Sequence, residues 1–572
     1  MPGRRDIPSP TGVSRRYARR RSASCLAVAL FFAFEFTVAS ASHATTFTYT
    51  ATTSSTDQWS AGTHWSATPV SNSATQLSYN GSSPYKSITN TNTDNIAGAF
   101  LLNILDLSGS GDTTGGGSSI TIAASGGSSL DFVSNGPTTP QINLTGSAGH
   151  GMTYNVSAPI TFSNNTLFNG SGSATFNFTG AITLGASSIQ LSTNSTNVVT
   201  LGGAVTGTSN LTVSTTAAGG FTFSGNVNNA GTITNSGSGA GTTTISGNIG
   251  SNVTGVTENS STSKLILSGS NGSFSSGLNV TAGTVQASGA NTNVFGTGTV
   301  TVGSTGVLDI NGTSQSTGLL SGVAGASVTN SVASPQTLTL SGAGSQTFGG
   351  VIGGGANLAL TLSGGTQTLT GTNTYTGATT VSGGTLFVNG STASGSAVTV
   401  NNSGTLSGSG TVNGTVNVTG SGAKINPGAT AGVIGTLNTG ALTLQNSSVF
   451  NVDMTSGSGN ADQLNVVGTV SLLTNPTLNL NFLTGTHFAP GNAYVLINND
   501  GIDAINGTFA NAPAGLDTID GFEFIVSYTG GTGNDFTLTA VPEPSTWVAG
   551  TLALGALIVI QRRRISRLVR RA

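Results

Sequence analysis

Between Thr45 and Val541 the sequence has no arginine, no cysteine and only three lysines, Lys86, Lys264 and Lys424. The single cysteine, Cys25, lies near the start of the 572-residue chain. A body without it has neither a disulfide framework nor thiol chemistry. Charged residues make up only 6%, against roughly 25% in ordinary globular domains. Clustered basic groups that could neutralise phosphates are missing, which excludes nucleic acid as a partner, and the same lack argues against an anionic membrane surface. Against the three lysines stand 15 acidic residues, so the stretch carries 3 − 15 = −12. No segment between the termini sustains a helical hydrophobic period.

What is present instead is glycine, 85 residues of it, beside 15 prolines. Their sum is about 17% of the chain, below the roughly 25–30% that marks low-complexity disorder. Short alternating runs punctuate the body: Val300/Val302, Val398/Val400, Val416/Val418, Leu442/Leu444, Leu464/Val466 and Leu478/Leu480. Alternation of this kind predicts half-buried strands, and the Gly, Asn and Ser clusters between them predict turns that need positive φ.

Arginine is confined to the ends, seven residues between Arg4 and Arg21 and six between Arg562 and Arg571. The first group precedes an apolar run from Leu26 to Phe36 and the small residues Ala39-Ser40-Ala41 and Ser42-His43-Ala44. This order predicts a secretory signal over 1–44, cleaved after Ala41 or Ala44, and engagement of export machinery. The second group follows Val541-Pro542-Glu543-Pro544-Ser545-Thr546-Trp547 and an apolar run Val548 to Ile560. Thirteen apolar residues are few for a stable span, which takes about 20. The arginines Arg562, Arg563 and Arg564 mark a cytoplasmic flank that resists translocation. A short hydrophobic helix at 548–560 is therefore expected to anchor the chain transiently in the inner membrane.

The C-terminal arrangement resembles the PEP-CTERM sorting signal of Gram-negative bacteria, with Pro542, Glu543 and Pro544 as its motif. The tail from Ile565 to Ala572 is longer than the usual basic ending. The resemblance implies a partner, a membrane-embedded exosortase that removes the helix and passes the protein toward the outer surface or the exopolysaccharide matrix.

Repeats in the body point the same way. The phrase Leu369-Thr370-Gly371-Thr372-Asn373-Thr374-Tyr375-Thr376-Gly377, followed by Val381-Ser382-Gly383-Gly384-Thr385-Leu386-Phe387-Val388, has a degenerate partner. That partner runs from Leu267 through Asn271, Phe274 and Gly277 to Val280-Thr281-Ala282-Gly283-Thr284-Val285. The 369–388 phrase is similar to the autotransporter-associated β-strand repeat, whose members form right-handed parallel β-helices. In such a fold inward Val, Leu, Ile and Phe fill a narrow core, and strands stack about 4.8 Å apart. Stacked Asn and Ser bridge successive turns without charge, which gives a reason for so few ionised groups. Residues 106–445 at roughly 22 per turn would give about 15 turns.

The organisation expected is therefore all-β: a signal peptide at 1–44, an N-terminal cap region at 45–105 and a right-handed parallel β-helix at 106–445. A closing β region at 446–540 and the sorting signal at 541–572 complete it. Trp59 and Trp65 are placed to plug the first turn, and Asp453, Asp462, Asp500, Asp503, Asp517, Asp520, Glu523 and Asp535 gather in the closing region. No catalytic, cofactor-binding or metal-binding residue is assigned. His64, His150 and His487 are expected to be solvated or packed singly. Asn498 to Asp503 carries oxygen ligands without EF-hand spacing. Gly530-Gly531-Thr532-Gly533-Asn534-Asp535 matches most of a Ca²⁺-binding nonapeptide, but a single copy reads better as a turn.

Function follows as an exported structural or adhesive protein of the cell surface or extracellular matrix, with exopolysaccharide as its partner, and not an enzyme. The alternative is a carbohydrate-active β-helix enzyme, a lyase or glycosidase, which would need paired carboxylates at a defined separation.

Overall fold

The computed structural model describes residues 43–79, 89–110, 117–147, 151–484, 488–541 and 544–569. Their strands form sheets of 29, 5, 9 and 8 members, parallel except at the C-terminal end of the last. The result is a parallel β-helix, as the resemblance to the autotransporter-associated repeat implies. Strands on one face step regularly from turn to turn, through Asn155, Asn177, Thr200, Thr222, Thr244 and Ile266, at intervals of 22, 23, 22, 22 and 22 residues. A turn of constant size keeps each inward side chain above its counterpart.

The core is a set of such columns. Leu130, Ile160, Ile182, Val205, Val227 and Ile249 stack on one another and are all buried. On another sheet, asparagines at outward positions meet. Asn169 donates to Asn143 at 3.2 Å and Asn194 to Asn169 at 2.8 Å. Each amide both donates and accepts, so a column of identical side chains satisfies itself without the repulsion that stacked charges would create.

The turn size changes along the chain. Thr361, Thr380, Thr399 and Asn417 stack at intervals of 19, 19 and 18 residues, and the following partners Thr443, Ser471 and Asn506 at 26, 28 and 35. The roughly 22-residue turn expected from the sequence therefore holds only in a middle part; before it, partners lie further apart, 30 residues for Leu130 and Ile160 and 37 for Ile104 and Gln141. The longer turns carry a loop over 428–435 and an excursion between Asp453 and Asp462.

The solenoid also runs through both expected internal boundaries. Thr75–Ser78 pairs with Ile104–Asp106, which pairs with Gln141–Asn143, so residues before and after 105 share a sheet. Leu442–Gln445 likewise joins Val416–Thr419 to Val470–Leu473. At the first end Trp59, Trp65, Tyr49, Tyr79 and Phe100 pack edge to face or tilted, ring centroids 4.7–6.0 Å apart. These aromatics are buried and pack together in the first turns. At the other end Gly515–Ile519, Phe522–Gly530, Asp535–Ala540 and Ala493–Asn499 pair antiparallel, which terminates the parallel ladder.

A helix spans Pro544–Val569, twice the length of the apolar run, because the arginines continue it. Its residues from Gly550 to Arg567 are exposed. Among the described residues no helix is long and apolar enough to cross a membrane.

Candidate binding groove

Outward positions on neighbouring strands come into columns because the pairing is in register. In Val449–Thr455 and Thr477–Thr484, Asn451 lies beside Asn479 and Asp453 beside Asn481. Asn479 donates to Asn451 at 3.1 Å, and Asn481 donates to the Asp453 carboxylate at 2.6 Å. With Asn426 these side chains line a cavity of about 380 Å³. Asp453 is only 3% exposed, and its second carboxylate oxygen, Oδ2, has no hydrogen-bond partner. A desolvated acceptor without a donor is costly unless something else supplies one.

One wall is the 428–435 loop, whose Ala431 and Gly432 line this cavity. Asn389 donates to the Ala429 carbonyl at 3.0 Å, and Gly408 pairs with Gly428 where the loop begins. Where it ends, the Gly435 N–H donates to Asp462 at 2.8 Å. The other oxygen of Asp462 accepts from the Asp453 N–H at 2.9 Å. Burial pushes the Asp462 carboxyl up to about 7, the Asp453 charge adds to the rise, and the two N–H donors oppose it. Asp462 thus fastens the loop to the strand that carries Asp453, and its carboxylate faces backbone rather than the cavity.

A second cavity, of about 330 Å³, shares Asn426 and Ala431 with the first and continues over the neighbouring turns. Thr366, Thr385, Phe387 and Ser407 line it. The two form one groove across successive strands, walled by a fastened loop and lined by amides, hydroxyls, one carboxylate and one aromatic ring.

The residues expected from sequence to direct sorting lie elsewhere. Pro542, Glu543 and Ala41 fall outside the described residues, Pro544 opens the C-terminal helix, and Ala44 is exposed immediately before the first strand, Thr45–Thr48. His150 and His487 are also outside the described residues. His64 is not solitary, since its Nδ1 lies 3.1 Å from Asp57. Burial raises the Asp57 carboxyl, but hydrogen bonds from Ser55, Tyr49 and His64 outweigh it and the net displacement is downward.

The two oxygen-rich segments of the closing region meet. The Asn534 amide donates to the Asp500 carbonyl at 3.0 Å and the Asp503 carbonyl at 3.2 Å, while Asp535 accepts from the Thr532 N–H at 2.9 Å. An amide donor occupies the point on which these carbonyls converge, which suits the turn reading. Among the described residues no three His, Cys, Asp or Glu side chains gather as a metal would require.

Residue-type reasoning missed Asn426, Asn451, Asn479 and Asn481. The signal was there: Phe450-Asn451-Val452-Asp453-Met454 and Leu478-Asn479-Leu480-Asn481-Phe482 are the same alternation 28 residues apart.

The passenger-associated-transport-repeat family matches residues 260–287 and 361–388. In the fold both matched segments run from strand through turn to strand, the second covering Thr366–Leu369, Thr379–Val381 and Thr385–Val388. The chain thus carries repeats of a passenger type, in keeping with a surface protein. No curated protein matches the chain.

Proposed function

We propose that the protein is an exported structural or adhesive component of the cell surface or extracellular matrix, released there through a PEP-CTERM-type signal. The observation that carries this reading is the pair of passenger-associated repeats built into the solenoid. The ends fit it. A thirteen-residue apolar stretch followed by Arg562, Arg563 and Arg564 is suited to pausing a chain in the inner membrane rather than holding it there. Pro542 and Pro544 favour an extended segment just outside, open to a processing enzyme.

The body acts through its surface rather than by catalysis. Without arginine, and with three lysines more than 150 residues apart, few groups could activate a nucleophile or stabilise an oxyanion. Repeated weak hydrogen-bonding faces gain strength by avidity along the stack. Replacing Pro542, Glu543 and Pro544 together should trap the uncleaved chain in the inner-membrane fraction. A triple variant that reached the surface at normal levels with a shortened C-terminus would overturn the sorting route.

A further inference from the structure

We propose that the groove beneath the 428–435 loop binds a neutral, hydroxyl-rich polysaccharide laid across the strands, with Asp453, Asn479 and Asn481 as its principal polar contacts. The proposal rests on the surface-protein reading above and gives that surface a defined site.

Three properties of the groove select the ligand. The buried, unpartnered Oδ2 of Asp453 calls for a donor, and a sugar hydroxyl supplies one. Beside it, Asn479 and Asn481 each spend one N–H on their neighbour and are exposed, leaving a second N–H and a carbonyl oxygen free for a hydroxyl. Groups that both donate and accept match hydroxyls, which do the same. The adjoining cavity continues the polar lining with the hydroxyls of Thr366, Thr385 and Ser407.

Charge excludes the competing ligands. The body carries −12 over residues 45–541 and the groove itself a carboxylate, so an anionic polysaccharide would be repelled. A calcium ion would need six to eight oxygens, usually several of them carboxylate, and the groove offers one carboxylate. Length favours a polymer over a small sugar, because the two cavities share Asn426 and run over strands about 4.8 Å apart.

The test is affinity electrophoresis of the mature chain through gels containing mixed-linkage β-glucan, galactomannan or soluble starch, with alginate as the anionic control. At least one neutral polymer should retard the chain and alginate should not. Asn479→Ala with Asn481→Ala should weaken that retardation at least tenfold, and Asp453→Asn, whose amide oxygen can still accept from Asn481, at least threefold. Thermal melts check that both variants are folded. Undiminished retardation of the variants, retardation by alginate, or no retardation by any neutral polymer would overturn the site. Localisation separates the two ideas: a chain displayed on the surface that binds none of these polymers removes the groove alone. A chain retained inside the cell removes the surface reading whatever it binds.

Discussion

Asn271 and Asn373, 102 residues apart in sequence, hold the same place in two turns of the solenoid and make the same bonds. Asn271 accepts from the Ile249 N–H at 2.7 Å and donates to the Val294 carbonyl at 2.6 Å. Asn373 accepts from the Ile352 N–H at 3.0 Å and donates to the Ser391 carbonyl at 3.1 Å. Both are buried. Each asparagine therefore ties its own turn to the one before and the one after.

At Asn373 the Ser391 carbonyl also accepts from the Asn373 backbone N–H at 2.9 Å, so removing the side chain leaves chiefly the buried Ile352 N–H without its acceptor, worth about 1–3 kcal/mol. Asn373→Ala should lower stability by about 1 kcal/mol or more in urea denaturation. A loss below about 0.5 kcal/mol, the level of a neutral surface change, would show that the repeat asparagine is not a structural tie.

The glycines of the same repeats are fixed by geometry. Gly384 has φ +71° and Gly283 φ +74°, and a Cβ on either would run into a backbone carbonyl of the preceding turn, that of Gly365 or Ser260. Both a left-handed conformation and a steric clash oppose a side chain. Gly384→Ala should lower Tm by several degrees. An unchanged melting curve would contradict the close stacking of these turns.

Buried acids set a pH dependence, Glu258 and Asp462 the most strongly raised among those with a value, with Asp94 raised to about 6. Burial raises Glu258 to about 8 against the hydrogen bonds from Asn235 and Ser260, and Asp462 is raised to about 7. A raised carboxyl keeps its proton in the folded chain while the unfolded chain has lost it. Their contribution is whole below the unfolded values, near pH 4, and is lost as pH rises through 7 to 8. Each group contributes a slope of at most about 1.4 kcal/mol per pH unit within its window. Tm should fall between pH 5 and pH 8, and Glu258→Gln should flatten that fall. A wild-type Tm that rises over this interval would show that these acids ionise freely in the fold.

Asp57 behaves in the opposite sense at the N-terminal end. Its folded value is depressed, so its contribution is present above the unfolded carboxylate range and is lost as pH falls through the folded value. Asp57→Ala leaves Ser55 and His64 without their shared acceptor. Limited proteolysis at neutral pH should then cut first between residues 45 and 65. Protection equal to wild type would mean that the aromatic cluster alone secures this end.

Much of the architecture was legible because its physics is local. Val300/Val302 and Leu442/Leu444 lie on strands as their alternation requires, and the large apolar Trp59 and Trp65 are buried against each other. The groove was not legible in the same way. Asn451 and Asn479 meet only through register, and register depends on turn lengths that range from 18 to 37 residues along the chain. The pairing of His64 with Asp57 escaped for a related reason: it depends on a left-handed residue, His64 at φ 61°, that composition does not announce.

Surface display tests the central claim most directly. Protease shaving of intact Gram-negative cells expressing the full chain, with mass spectrometry of the released peptides, should recover peptides from residues 45–541. None should come from the helix Pro544–Val569. Peptides from the body that appear only after the cells are lysed would contradict the account.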